Sequence, residues 1–277
     1  MSLLSNFKAP PDHTFIEFDY AQLEVRVLAL ASGDSHLIAD INSGRDMHTF
    51  FASKIFRRRE SGITKSERKI AKGFSFQLQY GAGARSIAEH WGVDITLAHR
   101  FIEEYYTRYT GVESWQVASM NYAHEHMEYL GDRDPETNES IPSCLIPSIW
   151  KDKNTGEPVT HYRVLAMKPK FTGVKSYTPP PTKCKNYPIQ GAASDIVMMM
   201  LSRFHAKTKC LKLVNTVHDS FLAVVHKNKL EEGIKEGENI LISVPKVLKN
   251  SFIVSTPVPF PVDYTHGDTL EEVKEKG

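Results

Sequence analysis

Apolar and polar positions change period several times along the chain, and each change marks an element. Residues 14–19, TFIEFD, form an aromatic and β-branched run that reads as a short strand ending in Asp19. Immediately afterwards Leu23, Val27, Leu30 and Ala31 take up helical spacing through QLEVRVLALAS, and Gly33 supplies a C-terminal stop. Residues 46–130 keep helical periods. They comprise a segment around DMHTFFASKIF, a second beginning ERKIAKGFSFQLQYGAG, and the aromatic run FIEEYYTRYTGVESWQVASMNYAHEHMEYL, which Gly111 is expected to interrupt.

Residues 131–185 change character. Asp, Asn, Pro and Gly cluster in GDRDPETNES, DKNTGEP and SYTPPPTKCK, which predicts long loops with a strand pair around HYRVLAMKP. A helical pattern returns at residue 186, where NYPIQGAASDIVMMMLSRFHAK carries small residues and then a Met/Leu/Phe stripe suited to burial. LKLVNTV and FLAVVH follow as two apolar β-type runs separated by His218, Asp219 and Ser220, the pattern of a tight hairpin with a carboxylate at its tip. KEGENILISVPKVLK and EEVKEKG read as solvated faces, and no internal repeat is visible.

Two of these patterns carry chemistry. In ERKIAKGFSFQLQYGAG, Arg68, Lys72, Phe76 and Tyr80 recur every four residues. Four residues advance a helix by about 400°, so these side chains lie one above the next with a drift of only about 40° per step. A face built for burial would be aliphatic, and one built for solubility would alternate charge signs. This face asks for a ligand with phosphates and flat rings. The second pattern is the pair Asp19 and Asp219. Each alone is an ordinary cap or turn residue. As a pair they suit a hard divalent cation such as Mg²⁺, and the cations of the helix suit phosphates bound to the same ion.

Composition narrows the picture further. With 277 residues, 41% hydrophobic and 24% charged, the chain has material for one large or two moderate domains. A formal net charge of +1 means that any basic surface is local. Three cysteines without a CxxC pair imply no disulfide framework and fit reduced thiols in a cytosol-like compartment. The N-terminal MSLLSNFKAPPDH is too weakly apolar for a secretory signal, and no run of about 18 apolar residues exists to span a bilayer. A cytoplasmic location without a membrane partner is expected. A Walker loop, an HExxH motif and a GxSxG elbow are all missing from the sequence.

FDYAQLEVRVLA resembles motif A of the family A DNA polymerases, the group of bacterial polymerase I and its phage relatives. RKIAKGFSFQLQYGAG resembles motif B, and TVHDSF resembles motif C. RDMHTFFASKIF, KNYPIQGAASDIV and PFPVDYTHGDTLEEV fit in family order, so the resemblance covers nearly all of the chain apart from residues 131–181. It implies an α+β polymerase right-hand fold. The palm would be an antiparallel sheet from residues 1–45 and 184–277, with helical fingers at 46–183 inserted and a loop-rich insertion near 131–183. The thumb and 3′–5′ exonuclease would lie outside this chain. A second polypeptide supplying them, as in a split polymerase, is the expected partner, together with primer–template DNA and dNTP.

The resemblance also implies residue roles. Asp19 and Asp219, with the main-chain carbonyl of Tyr20, would bind two Mg²⁺ ions for template-directed 5′–3′ DNA synthesis. Arg68, Lys72 and His48 would hold the triphosphate, with Lys72 donating a proton or neutralising charge. Phe76 would stack on base and sugar, Tyr80 would sit near the template base, and Gln22 would contact the nucleotide. Glu24 would fill the space of a ribose 2′-hydroxyl, which selects deoxyribose. Asn186, Gln190 and His218 would contact the primer–template duplex.

Some positions depart from the family. Ser220 follows Asp219 where glutamate is common, as in single-subunit RNA polymerases, which keeps RNA synthesis as an alternative that Glu24 and Phe76 oppose. Thr182 stands where an arginine is common, with Lys183 and Lys185 nearby, and FRRRESG at 56–62 reads as a solvated loop or a nucleic-acid contact. A non-catalytic DNA-binding or replisome subunit is the alternative from another class; Asp19, Asp219 and Lys72 argue against it.

Overall fold

A computed structural model describes residues 3–134, 138–167 and 177–276. Parts of the expected loops, at 135–137 and 168–176, lie outside the described residues. In chain order the elements begin with β1 (His13–Tyr20), α1 (Leu23–Ser32), α2 (Ser35–Ser43), α3 (Met47–Ile55), α4 (Lys65–Gln79) and α5 (Ala84–Trp91). Next come α6 (Ile95–Arg108), α7 (Thr110–Glu125), β2 (Ser143–Pro147), β3 (His161–Leu165) and α8 (Pro181–Lys207). The chain ends with β4 (Leu211–Val217), β5 (Ser220–His226), α9 (Leu230–Leu241), α10 (Val244–Ser251), β6 (Val262–Gly267) and α11 (Leu270–Lys276). Two compact units form, one from residues 1–27 and 192–277, the other from residues 28–191. The divisions fall inside α1 and α8, whereas the sequence suggested 45/46 and 183/184.

The first unit is a four-stranded antiparallel sheet in the order β4-β5-β1-β6. Side chains alternate along β1, so Ile16, Phe18 and Tyr20 occupy one face and Phe15, Glu17 and Asp19 the other. The first face is closed by aromatic packing, with Phe18 6.0 Å from Phe204 of α8, ring centre to ring centre. Tyr20 lies 6.0 Å from Phe221 and donates from its hydroxyl to the Leu241 carbonyl of α9 at 2.9 Å. On the other face Phe15, Leu222 and Val224 pack against Val273 and Leu270 of α11. Burying side chains of this size contributes roughly 1.5–3 kcal/mol each.

The C-terminal segments expected to be solvated are amphipathic helices that bury Ile234, Leu241, Val244, Leu248 and Val273. Strand β6 was not foreseen. VDYTHG alternates poorly, and as an edge strand it relies on pairing with β1 from Phe15↔Gly267 to Tyr20↔Val262.

In the second unit the aromatic run supplies a core. Phe51 meets Phe101, Tyr105 and Tyr109 at 5.4–5.5 Å between ring centres, and Phe74 meets Phe101 at 5.3 Å. The break between α6 and α7 falls at Tyr109 rather than Gly111. Asp34 explains it, because its carboxylate accepts from Leu37 N at 2.8 Å and from Gly111 N at 2.7 Å, capping α2 and α7 together. A Cβ on Gly111 would lie 2.9 Å from that carboxylate. The glycine therefore permits a contact and does not end a helix.

Helix α8 starts at Pro181, five residues before the expected start. Proline at a helix start loses no intrahelical bond, and its fixed φ favours the first turn, so PTKCK extends the helix instead of a loop. The expected strand pair is present as β2 and β3, registered from Ser143↔Leu165 to Pro147↔His161. Behind it Cys144, Ile146 and Val164 pack with Ala123 and Cys184. Cys144, Cys184 and Cys210 are free thiols.

Candidate active site

The two carboxylates reach one end of the sheet by different routes. Asp19 is the penultimate residue of β1 and lies opposite Ser220 of β5. Asp219 and His218 form the two-residue turn that joins β4 to β5, and the Val217↔Ser220 pair closes it. Pairing β1 with β5 therefore brings Asp219 beside Asp19. The Tyr20 amide donates to the Asp219 carbonyl at 3.4 Å, and Asp19 is pushed up to about 6 by partial burial, by Asp219 and by Glu17, with Lys274 opposing. Two non-glycine residues with left-handed backbone flank the acids, Gln22 at φ 55° and His218 at φ 55°. Such conformations cost on the order of 1–3 kcal/mol and persist where surrounding structure enforces them.

Glu17, which the sequence reading did not single out, lies beside this pair on the same face of β1 and is only 8% exposed. It accepts from Ser220 Oγ at 2.8 Å and from Lys274 Nζ at 2.6 Å. An acid inside the apolar run TFIEFD was the available signal, since a buried charge requires partners.

In the second unit α4 presents two faces. Ala71, Phe74, Ser75 and Leu78 are buried, whereas Arg68, Lys72 and Phe76 are exposed. Thr64 and Glu67 form a reciprocal capping box at its start, legible in the sequence as TKSE. Gly73 packs directly on the Trp91 ring, where a Cβ would come within 1.8 Å. Lys72 Nζ stands 5.7 Å from the centre of the Phe76 ring. Arg68 is engaged by Asp46, with Nε at 2.6 Å and Nη2 at 3.2 Å from its two oxygens. Burial works against ionisation of Asp46, but hydrogen bonds from Arg68 and Thr49 hold it down at about 2.

His48 is buried and tilts against Phe76 at 6.5 Å between ring centres. Burial pushes it down to about 4; Asp46 opposes this shift, and Arg68 and Lys72 reinforce it, so the imidazole is neutral near pH 7. Tyr80 closes α4, and its carbonyl accepts from Asn186 Nδ2 at 3.0 Å. Gln190 is exposed on α8, His218 is exposed in its turn, and Glu24 is half-buried on α1. The Tyr20 side chain faces the core, which leaves only its main chain available to a ligand. In FRRRESG, Arg58 pairs with Glu67 at 3.2 Å.

Among the described residues no three His, Cys, Asp or Glu side chains gather into a metal cage. Two adjacent hard carboxylates nevertheless fit Mg²⁺, which keeps several waters and takes substrate phosphates as further ligands. No helix among the described residues is long and apolar enough to cross a membrane.

An antiparallel sheet with a helical unit inserted between its strands is the architecture expected of the palm and fingers of a polymerase right hand. The chain superposes on a solved structure described as the "POL domain of Pol1 from M. smegmatis complex with DNA primer-template and dNTP" with a TM-score of 0.71 and 20% identity. That match covers 98% of this chain and 42% of the other. Residues 3–133 match the model for DNA polymerase family A. DNA polymerase I of Aquifex aeolicus is 28% identical over 240 residues, covering 83% of this chain and 35% of the relative. DNA polymerase I of Geobacillus stearothermophilus is 28% identical over 268 residues, covering 95% of this chain and 26% of the relative. The likeness to DNA polymerase family A thus rests on residues 3–133 for the family model and on relatives 24–28% identical to this chain. It spans 23% of the length of the Chloroflexus aurantiacus enzyme and 35% of the Aquifex one.

Proposed function

We propose that this chain is the catalytic portion of a template-directed DNA polymerase that transfers a nucleotidyl group from a dNTP to a primer 3′-hydroxyl. The adjacency of Asp19, from β1, and Asp219, from the turn between β4 and β5, carries this reading. Asp19, Asp219 and the Tyr20 carbonyl are the groups that would hold two Mg²⁺, which supplies neutralisation of phosphate charge and a lowered pKa for a bound hydroxyl.

Arg68 and Lys72 bind the triphosphate through charge-assisted hydrogen bonds, and Lys72 neutralises charge or delivers a proton to the departing pyrophosphate. His48, neutral near pH 7, contributes a hydrogen bond instead of a charge. Phe76 stacks on base and sugar, Tyr80 lies by the template base, and Gln22 touches the nucleotide. Glu24 rejects a ribose 2′-hydroxyl. Asn186, Gln190 and His218 contact the duplex.

Primer extension on a primed single-stranded template with Mg²⁺ and dNTPs tests the reading. Incorporation that Asp219→Ala abolishes supports it; no incorporation by the chain, alone or with extract from its native source, overturns it. Dependence on that extract would support a second polypeptide that supplies the duplex grip and proofreading. Competing rNTPs against dNTPs separates DNA from RNA synthesis.

A further inference from the structure

Glu17 has no part in the scheme above, yet it joins three segments that are remote in sequence. Its Oε1 receives Ser220 Oγ from β5 and Lys274 Nζ from α11, at 2.8 and 2.6 Å. Ser220, only 6% exposed, lies directly opposite Asp19 and immediately follows Asp219. Lys274 follows Val273, which is wholly buried against the same sheet face, so α11 is anchored where it presents the ammonium. His218 holds a left-handed backbone in the adjoining turn, a conformation that needs support from its surroundings. Removing the Glu17 carboxylate would take the cross-strand acceptor from the Ser220 hydroxyl, leaving it only the Val217 carbonyl at 3.0 Å within the turn, and would leave the Lys274 ammonium without this partner.

We propose that Glu17 is a positioning residue for the acidic pair: by gripping Ser220 and Lys274 it sets the separation of Asp19 and Asp219 and hence their affinity for a divalent cation. The inference rests on the reading of that pair as a cation site. Outer partners of metal ligands typically change affinity by about 10–100-fold when removed.

Calorimetric titration with Mn²⁺ on the whole chain tests this, with circular dichroism melts to verify folding. Glu17→Ala and Ser220→Ala are expected to weaken Mn²⁺ binding by about tenfold or more. Glu17→Gln, whose amide oxygen can still accept from Ser220, should recover part of that loss. In primer extension the same variants should need more Mg²⁺ for half-maximal rate while the KM for dNTP stays unchanged. A folded Glu17→Ala that binds Mn²⁺ within about twofold of the wild type would overturn the inference. Should Glu17→Ala fail to fold, the same outcome for Ser220→Ala would overturn it. Wild-type protein without Mn²⁺ binding that Asp219→Ala removes would overturn the cation-site reading and this inference with it. Normal Asp219-dependent binding with unaffected Glu17 and Ser220 variants would overturn the inference alone.

Discussion

The acidic end of the sheet in the first unit and the exposed face of α4 in the second are charged sites built in opposite ways. At the sheet, Asp19 lies beside Asp219 and Glu17, and Lys274 bonds to Glu17. Asp19 resists ionisation, its pKa pushed up to about 6 first by burial and then by Asp219 and Glu17. On α4 the situation is reversed. Arg68 already holds a bidentate carboxylate partner, Asp46 is fully ionised, and burial has stripped His48 of its charge. A cation would relieve the sheet end, whereas a phosphate on the helix would have to displace Asp46 from Arg68. That exchange costs little, because an ion pair as exposed as Arg68–Asp46 is worth about 0–1 kcal/mol.

Breaking the acidic side should have the largest effect. Asp219→Ala is expected to lower primer extension by more than about 10³-fold, the loss of several kcal/mol of transition-state charge stabilisation. Retention of more than about a tenth of the wild-type rate would show that the acidic pair is not the reaction centre. On the helix, Arg68→Ala should reduce kcat/KM for dNTP by about 10–100-fold, since hydrogen bonds to charged groups are worth about 1.5–3 kcal/mol. Asp46→Asn sharpens the contrast. If Asp46 only occupies Arg68 before phosphate binds, steady-state kinetics should show KM for dNTP unchanged or lower, with stability altered by less than about 1 kcal/mol.

A smaller effect concerns the ring. Phe76 offers no hydroxyl to replace a missing sugar 3′-hydroxyl, so dideoxynucleotides should be poor substrates. Phe76→Tyr should improve their use by about tenfold, the upper worth of one neutral hydrogen bond. Equal use of both nucleotides by the unaltered protein would contradict this.

The smallest effect is on stability. Asp19 has a folded pKa raised above its ordinary value of 3.8, so folding favours its protonated form. The associated stability is present below pH 3.8 and is lost as pH rises through about 6. Metal-free protein should therefore melt at lower temperature at pH 7 than this group alone would give at pH 4, and Asp219→Asn should flatten that component. A difference melt, wild type minus Asp219→Asn, that is independent of pH between 4 and 7 would refute the crowding.

Much of the site was legible locally. The four-residue spacing of Arg68, Lys72, Phe76 and Tyr80 belongs to one helix, and any helix carrying it must present those side chains on one face. The hairpin around Asp219 was equally readable, because two apolar runs with a short polar interval have few other ways to pair. Elements whose partners lie far away were harder to read. β6 acquires strand character from β1, across a separation of more than two hundred residues, and α9 and α10 looked solvated until the sheet supplied something to bury against. The true start of α7 depends on Asp34, which no inspection of the aromatic run alone would find.

By itself the amino-acid sequence determined which side chains share a face, where strands end in carboxylates, and which family the motifs resemble. These follow from helical and strand periods, which are properties of a few consecutive residues. Tertiary structure alone decided that β1 pairs with β5, so that Asp19 and Asp219 meet, that Glu17 finds Ser220 and Lys274, and that Arg68 is held by Asp46. The physical reason is that Coulomb interactions and burial depend on distances through space, and folding brings together charges that the chain keeps far apart.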